Sequence, residues 1–265
     1  MEKHDYAACW EANAEAWTRL TRAGYDLYRD RLHTPAFLRM LPDIAGKRGL
    51  DVGCGEGAGT RQLARLGAGM TGVDIAPTMI RYATEEELRK PLGIRYREAD
   101  AAALPFPDAS FDFVSAFMSL MDVDNLSGAV KEIHRVLLPL GFLQFSILHP
   151  CFSPPRRRVL RNEDGTVRSV ELGGYFDNTE QMETWTFSSL PEEERGKVRP
   201  FITPYRHFPL SEWINVLIQT GFVIERMEEP RATKEEAEKE AVIADTLEFP
   251  LAMILRARKR KFNEV

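Results

Sequence analysis

Gly49-Leu50-Asp51-Val52-Gly53-Cys54-Gly55-Glu56-Gly57 joins the end of an apolar strand to an acid, three alternating glycines and a helix-like run. Glycines at this spacing let the backbone turn tightly and approach a ligand, as in the strand-to-helix loops that cradle nucleotide cofactors. Asp51 and Glu56 place two carboxylates beside the loop. Such acids repel a pyrophosphate and hold an ammonium through charge-assisted hydrogen bonds. The chemistry expected is the binding of a cofactor that carries a cationic amino group and no phosphate.

The next landmarks sharpen this. Met70-Thr71-Gly72-Val73-Asp74-Ile75 reads as a second buried strand ending in an acid, 23 residues beyond Asp51. A carboxylate there can take two ribose hydroxyls in a bidentate grip. Asp100 follows in Arg97-Glu98-Ala99-Asp100-Ala101, then Phe111-Asp112-Phe113-Val114-Ser115-Ala116-Phe117 as a fourth strand. This succession resembles the class I S-adenosylmethionine-dependent methyltransferases, of the broad group that includes the ubiquinone/menaquinone-type C-methyltransferases. The resemblance covers about Leu50 to Phe145 well and Leu210 to Arg258 moderately, and does not extend to Pro150 to Pro209. It implies S-adenosylmethionine as cofactor, with Gly53, Gly55 and Gly57 forming its loop and Asp51 contacting the methionine ammonium directly or through water. By the same resemblance Asp74 holds the ribose hydroxyls, Ile75 and Met79 pack near the adenine, and Asp100 accepts from its exocyclic amine. The Ala101 amide donates to a ring nitrogen, and Phe117 supplies a backbone carbonyl to the methionine end. One departure is Leu140, in Leu138-Pro139-Leu140-Gly141, where the family usually has a second glycine.

The implied reaction is an in-line displacement at a sulfonium methyl, which needs a small-molecule acceptor held on axis and desolvated. A base is required only if the nucleophile arrives protonated. Of five histidines, His149 is best placed, ending the fifth strand at Ile147-Leu148-His149-Pro150. His207, in Tyr205-Arg206-His207-Phe208, comes second, and the tyrosines of the N-terminal arm, Tyr28 among them, third. Each histidine serves equally well as a structural residue satisfying a buried carbonyl. His134 reads as structural. No metal is expected: Asp122, Asp124 and Asn125 follow the fourth strand, but the fifth ends in His149-Pro150, and Asp124 reads more simply as a helix cap. Two other readings stay open. Gly53-Cys54-Gly55-Glu56-Gly57-Ala58 also fits the loose pattern of NAD(P)-dependent oxidoreductases, and a non-catalytic S-adenosylmethionine-binding protein would keep the same loop.

The elements that must position these residues alternate. Strands are expected at 48–52, 70–73, 94–98, 111–116 and 142–148, with helices at 58–66, 77–89 and 127–137 between them. Right-handed crossovers then give a doubly wound α/β sheet, Rossmann-like, completed by strands at 222–227 and 251–257 after a helix at 211–219 capped by Ser211. The resemblance implies seven strands, the last antiparallel between the fifth and sixth. A charged helix is expected at 234–244. Residues 1–45 read as an N-terminal helical arm with Trp10, Ala14 and Trp17 on one face, either simply packed on the core or acting as a lid in which Trp17, Tyr25 and Tyr28 face the cofactor site. Residues 46–149 and 210–260 form the core, and 150–209 an antiparallel insertion with a hairpin at 158–161 and 167–172 and a strand at 183–187. An insertion leaving the carboxyl edge of the sheet is placed to roof the site and recognise substrate.

The 265 residues, 44% of them hydrophobic, suffice for a core, and a formal net charge of -5 argues against nucleic acid. Arg156-Arg157-Arg158 reads as a solvated edge strand, with an acidic-substrate site as the minority option. Three cysteines, Cys9, Cys54 and Cys151, suggest neither a zinc site nor a disulfide framework. With no targeting segment or apolar span in view, a cytoplasmic protein without a membrane partner is expected, and a homodimer is left open.

Overall fold

The computed structural model describes residues 4–261; Met1-Glu2-Lys3, part of the arm and of the targeting reading, lie outside them. In chain order the elements are α1 (Tyr6–Arg22), a π-helical turn (Arg29–His33), α2 (Thr34–Met40), β1 (Arg48–Val52), α3 (Ala58–Arg65), β2 (Gly69–Asp74), α4 (Pro77–Arg89), β3 (Arg95–Glu98) and β4 (Phe111–Phe117). A short 3-10 turn (Leu120–Asp122), α5 (Leu126–Val136), β5 (Leu137–Leu148), β6 (Arg156–Arg161), β7 (Val167–Gly173), β8 (Gln181–Trp185), α6 (Glu192–Arg195) and β9 (Phe201–Tyr205) follow. The chain closes with α7 (Leu210–Thr220), β10 (Phe222–Glu228), α8 (Lys234–Lys239), a 3-10 segment (Ala241–Leu247) and β11 (Ala252–Lys259).

Seven strands form one sheet in the order β10-β11-β5-β4-β1-β2-β3, with β11 antiparallel to both neighbours and the remaining pairs parallel. The expected doubly wound Rossmann-like sheet is therefore the one seen. Its central strands are apolar almost throughout because helices cover both faces, and Leu50, Val114, Leu143, Phe145 and Leu255 are fully enclosed. Residues 150–209 leave this sheet at the end of β5 and make two separate antiparallel pairs, β6 with β7 and β8 with β9.

Some local expectations need correction. Helix α5 is capped by Asn125, whose side chain accepts from the Gly128 amide at 2.9 Å, rather than by Asp124 one residue earlier. Helix α7 starts at Leu210 without a side-chain cap; the Tyr175 hydroxyl of the insertion takes the Leu210 amide at 2.9 Å in place of Ser211. The charged helix stops at Lys239, where Glu240 leaves helical geometry (φ -133), so that Ile243 can bury against Leu32 of the arm. Strand β9 was not expected, since Pro204 within Phe201-Ile202-Thr203-Pro204-Tyr205 weakens any strand reading.

Leu140 shows why a glycine suits its turn: its φ is 63, in the left-handed region that costs a branched side chain about 1–2 kcal/mol. Its side chain is exposed and its carbonyl accepts from Arg258 at 2.7 Å, so the turn is held by backbone contacts that a glycine keeps. Leu140→Gly should raise stability by roughly 0.5–1 kcal/mol after the greater chain entropy of glycine is counted. An unchanged or lower urea midpoint would contradict this.

Candidate active site

Parallel pairing brings the carboxyl ends of β1, β2 and β4 together, and the acids at those ends converge. Asp51 is buried, and its carboxylate accepts from the Ser115 hydroxyl on β4 and the Thr60 hydroxyl on α3, each at 2.6 Å. Ser115 is the residue that pairs with Asp51 across the two strands. Burial pushes the Asp51 carboxyl up to about 6, against the pull of the two hydroxyl bonds. Asp74 ends β2, and its two oxygens accept from the Gly55 and Ala76 amides, both at 2.9 Å. Burial raises it as well, opposed by those amides.

Between these acids runs the glycine loop. Gly53, Gly55 and Gly57 all have positive φ (70, 54 and 89), and their surroundings differ. A Cβ on Gly53 would meet Ser119 at 2.4 Å and one on Gly57 would meet the Tyr96 hydroxyl at 2.6 Å, whereas Gly55 has nothing within 4 Å of that position. The loop is thus packed on the protein at both ends and open in the middle, toward a cavity of about 800 Å³.

That cavity collects most of the residues singled out from the sequence. Asp51, Gly53, Gly55, Asp74, Ile75, Met79, Asp100, Ala101 and Phe117 line it, as do Trp17, Tyr25 and Tyr28 of the arm; Gly57 does not. The opposite wall comes from the insertion, through Arg157, Glu183, Trp185, Thr203 and Tyr205. Helix α1 ties the two walls together. Glu11 accepts from the Thr78 amide and hydroxyl at the start of α4 (2.9 and 2.7 Å), Arg22 pairs with Glu56 at 3.0 Å, and the Asn13 amide donates to the Ile202 carbonyl at 2.9 Å. Trp17 sits edge-on to Trp10 and Trp185 and tilted against Phe187 and Phe201.

The catalytic expectations fare differently. His149 and His207 do not line the cavity. Leu148 faces it, so the next residue along the chain points away, and the buried His149 ring meets Glu229 at 2.7 Å through Nε2 and accepts from the Cys151 amide through Nδ1. His149 is thereby held outside the cavity by Glu229 and the Cys151 amide. His207 is buried beside Tyr175 and 3.3 Å from the Tyr205 hydroxyl. Tyr28 does reach the cavity, but its hydroxyl donates to the Val242 carbonyl and burial pushes the phenol up to about 12, which disqualifies it as a base near neutral pH. Glu56, expected to add negative charge to the loop, is neutralised by Arg22.

Sequence reasoning missed several lining or supporting groups. His33, on the π-helical turn, is the one histidine that lines the cavity among the described residues; burial pushes it down to about 4, and its Nε2 has no hydrogen-bond partner there. Thr60 and Ser115 were missed because nothing local marks a hydroxyl as a carboxylate partner; the pairing of the first and fourth strands was the available signal.

Comparison with known proteins decides between the readings. Residues 50–145 match the family described as a methyltransferase domain. The demethylmenaquinone methyltransferase of Tropheryma whipplei is 38% identical over 178 residues, 65% of this chain and 73% of that protein. The chain belongs to the class I S-adenosylmethionine-dependent methyltransferases. A solved S-adenosylmethionine-dependent methyltransferase from Mesorhizobium loti has a TM-score of 0.69 at 26% identity, covering 85% of this chain and 96% of its own. The malonyl-[acyl-carrier protein] O-methyltransferase of Pectobacterium atrosepticum is 28% identical over 161 residues, 60% of this chain and 62% of that protein. Family membership sets aside the nicotinamide and non-catalytic readings. The protein is an enzyme that methylates a small-molecule acceptor, and family membership implies use of S-adenosylmethionine. Among the described residues no helix is long and apolar enough to cross a membrane.

The raised Asp51 carboxyl has a consequence for stability. The folded protein holds this proton to about pH 6 while the unfolded chain releases it near pH 3.8, so stability from this group is lost as pH rises between the two values and stays lost above. The penalty is about 3 kcal/mol at pH 7. Asp51→Asn, whose amide can still bond both hydroxyls, should raise the melting temperature of the cofactor-free enzyme at pH 7 by about 5 °C and leave it little changed at pH 4. A melting temperature lowered at pH 7 would contradict the assignment.

Proposed function

We propose that the cofactor lies along the glycine loop with its amino-acid end at Asp51, its ribose at Asp74 and its adenine between Ile75, Met79, Asp100 and Ala101, and that the acceptor occupies the space between Phe117 and the insertion. S-adenosylmethionine supplies the activated methyl group. The observation that carries this reading is the Asp51 carboxyl: buried, facing the cavity and, among the described residues, bonded by neutral hydroxyls and paired with no cation, it is matched by a ligand ammonium. The open face of Gly55 supports it, since any side chain there would project into the space the ligand needs.

In this reading the chain's own work is binding, orientation and exclusion of water. Asp74 is held by two backbone amides, so it meets ribose hydroxyls already oriented and loses little freedom on binding. Residues 1–45 act as a lid and 150–209 as a substrate-recognition cap over the core of 46–149 and 210–260. The support is the ion pair from Arg22 to Glu56, the Glu11 cap on α4 and the aromatic cluster around Trp17, which together link the lid to the cofactor loop and the cap. Exclusion of water from the nucleophile favours displacement.

Asp74→Ala should cost about 2–3 kcal/mol of affinity for S-adenosylhomocysteine, a loss of about 30- to 150-fold by calorimetry, because it removes charge-assisted bonds to two hydroxyls. The helical circular dichroism should persist. A folded variant that binds normally would contradict the ribose assignment.

A further inference from the structure

Asp122, in the turn after β4, and Glu183, on β8, both line the cavity. Among the described residues neither carboxylate has a hydrogen bond or an ion pair. Groups that might have neutralised them are engaged elsewhere. Arg206 pairs with Glu180 at 2.7 Å, the Tyr6 hydroxyl donates to the same Glu180 at 3.0 Å, and the Tyr205 hydroxyl donates to the Ser153 carbonyl at 2.6 Å. Arg29 is held by Asp26 and Asp30. Arg157 lies with its guanidinium 5.0 Å from the Phe249 ring.

Two carboxylates that line one cavity without a cationic partner repel each other, and no cation among the described residues offsets that repulsion. Burial, with the charge of Glu183 added, pushes the Asp122 carboxyl up to about 8, and burial raises Glu183. Among the described residues the pair lacks a counter-charge. A neutral hydroxyl would satisfy one lone pair and leave the repulsion in place, whereas a ligand cation removes it. The walls around the pair are aromatic, from Trp185 and Tyr205, and aromatic faces add attraction for a cation.

We propose that the methyl acceptor of this enzyme is a small amine, held as its ammonium between Asp122 and Glu183. The proposal rests on the cofactor placement above and names the substrate class for the other half of the same cavity. An ammonium has no lone pair with which to attack, so the pair also serves as the proton sink. The proton passes from nitrogen to a carboxylate, the freed lone pair forms the nitrogen–carbon bond, and the electrons of the breaking carbon–sulfur bond return to sulfur. A primary or secondary amine carries the further proton that leaves the methylated product to solvent.

The test uses the full chain saturated with S-adenosylhomocysteine, titrated with benzylamine, benzyl alcohol and benzoate as probes of one shape and three charges. Benzylamine should bind about tenfold or more tightly than the other two, and Asp122→Asn and Glu183→Gln should each lower its affinity about tenfold or more while leaving that for S-adenosylhomocysteine unchanged. Preference for the alcohol or the carboxylate, or amine affinity indifferent to both substitutions, overturns the proposal alone. A wild-type enzyme that does not bind S-adenosylhomocysteine overturns the cofactor placement and the proposal with it.

Discussion

The arrangement of this active site depends on one buried carboxylate, that of Asp51, enclosed at the end of a central parallel strand with two hydroxyls as its only hydrogen-bond donors among the described residues. A charge in that position is costly unless something compensates it, and hydroxyls compensate it incompletely. The cost constrains the surroundings. β4 must pair with β1 in the register that sets Ser115 opposite Asp51, and α3 must begin where Thr60 reaches the other oxygen. The glycine loop between them has to turn back sharply, because Gly53 and Cys54 both donate to the Val73 carbonyl on β2. The sheet order, the loop and the helix start are thus parts of one electrostatic arrangement, and the proposed cationic ligand is what completes it.

The second set of constraints comes from the arm and the insertion, neither of which has a large core of its own. The two pairs β6–β7 and β8–β9 are two-stranded ribbons, a size that is marginal in isolation. The β8–β9 pair is stabilised by its aromatic residues, Trp185 and Phe201, packing on Trp17 and Phe187, each such pair contributing about 0.5–1.5 kcal/mol beyond its buried area. Since α1 is also fixed to the cofactor loop by Arg22 and Glu56, order in the loop and order in the roof are coupled through one helix.

What was legible in the sequence was what is local. The strand lengths, the alternation with helices and the acids at strand ends are encoded within short windows, and the parallel topology follows from handedness alone. What was not legible depends on meetings between distant segments. His149 looked suited to the pocket because it ends β5, but its neighbour Leu148 takes the inward direction, and Glu229, 80 residues away, receives the ring. Asp122 was weighed only as a metal ligand, and Glu183 only as part of a strand, because their proximity arises when β8 folds over the turn after β4. Pro204 concealed β9, and with it the Phe201 ring on which Trp17 packs.

The claim on which the account turns is that Asp51 is about half protonated near pH 6 in the free enzyme and becomes fully anionic when an ammonium reaches it. Calorimetric titration with S-adenosylhomocysteine at pH 6, repeated in buffers of different ionisation enthalpy, counts the protons exchanged. The account predicts release of about half a proton in the wild-type enzyme, from a carboxyl poised near pH 6, and loss of that release in Asp51→Asn. No release from the wild type, or the same release from the variant, would contradict it.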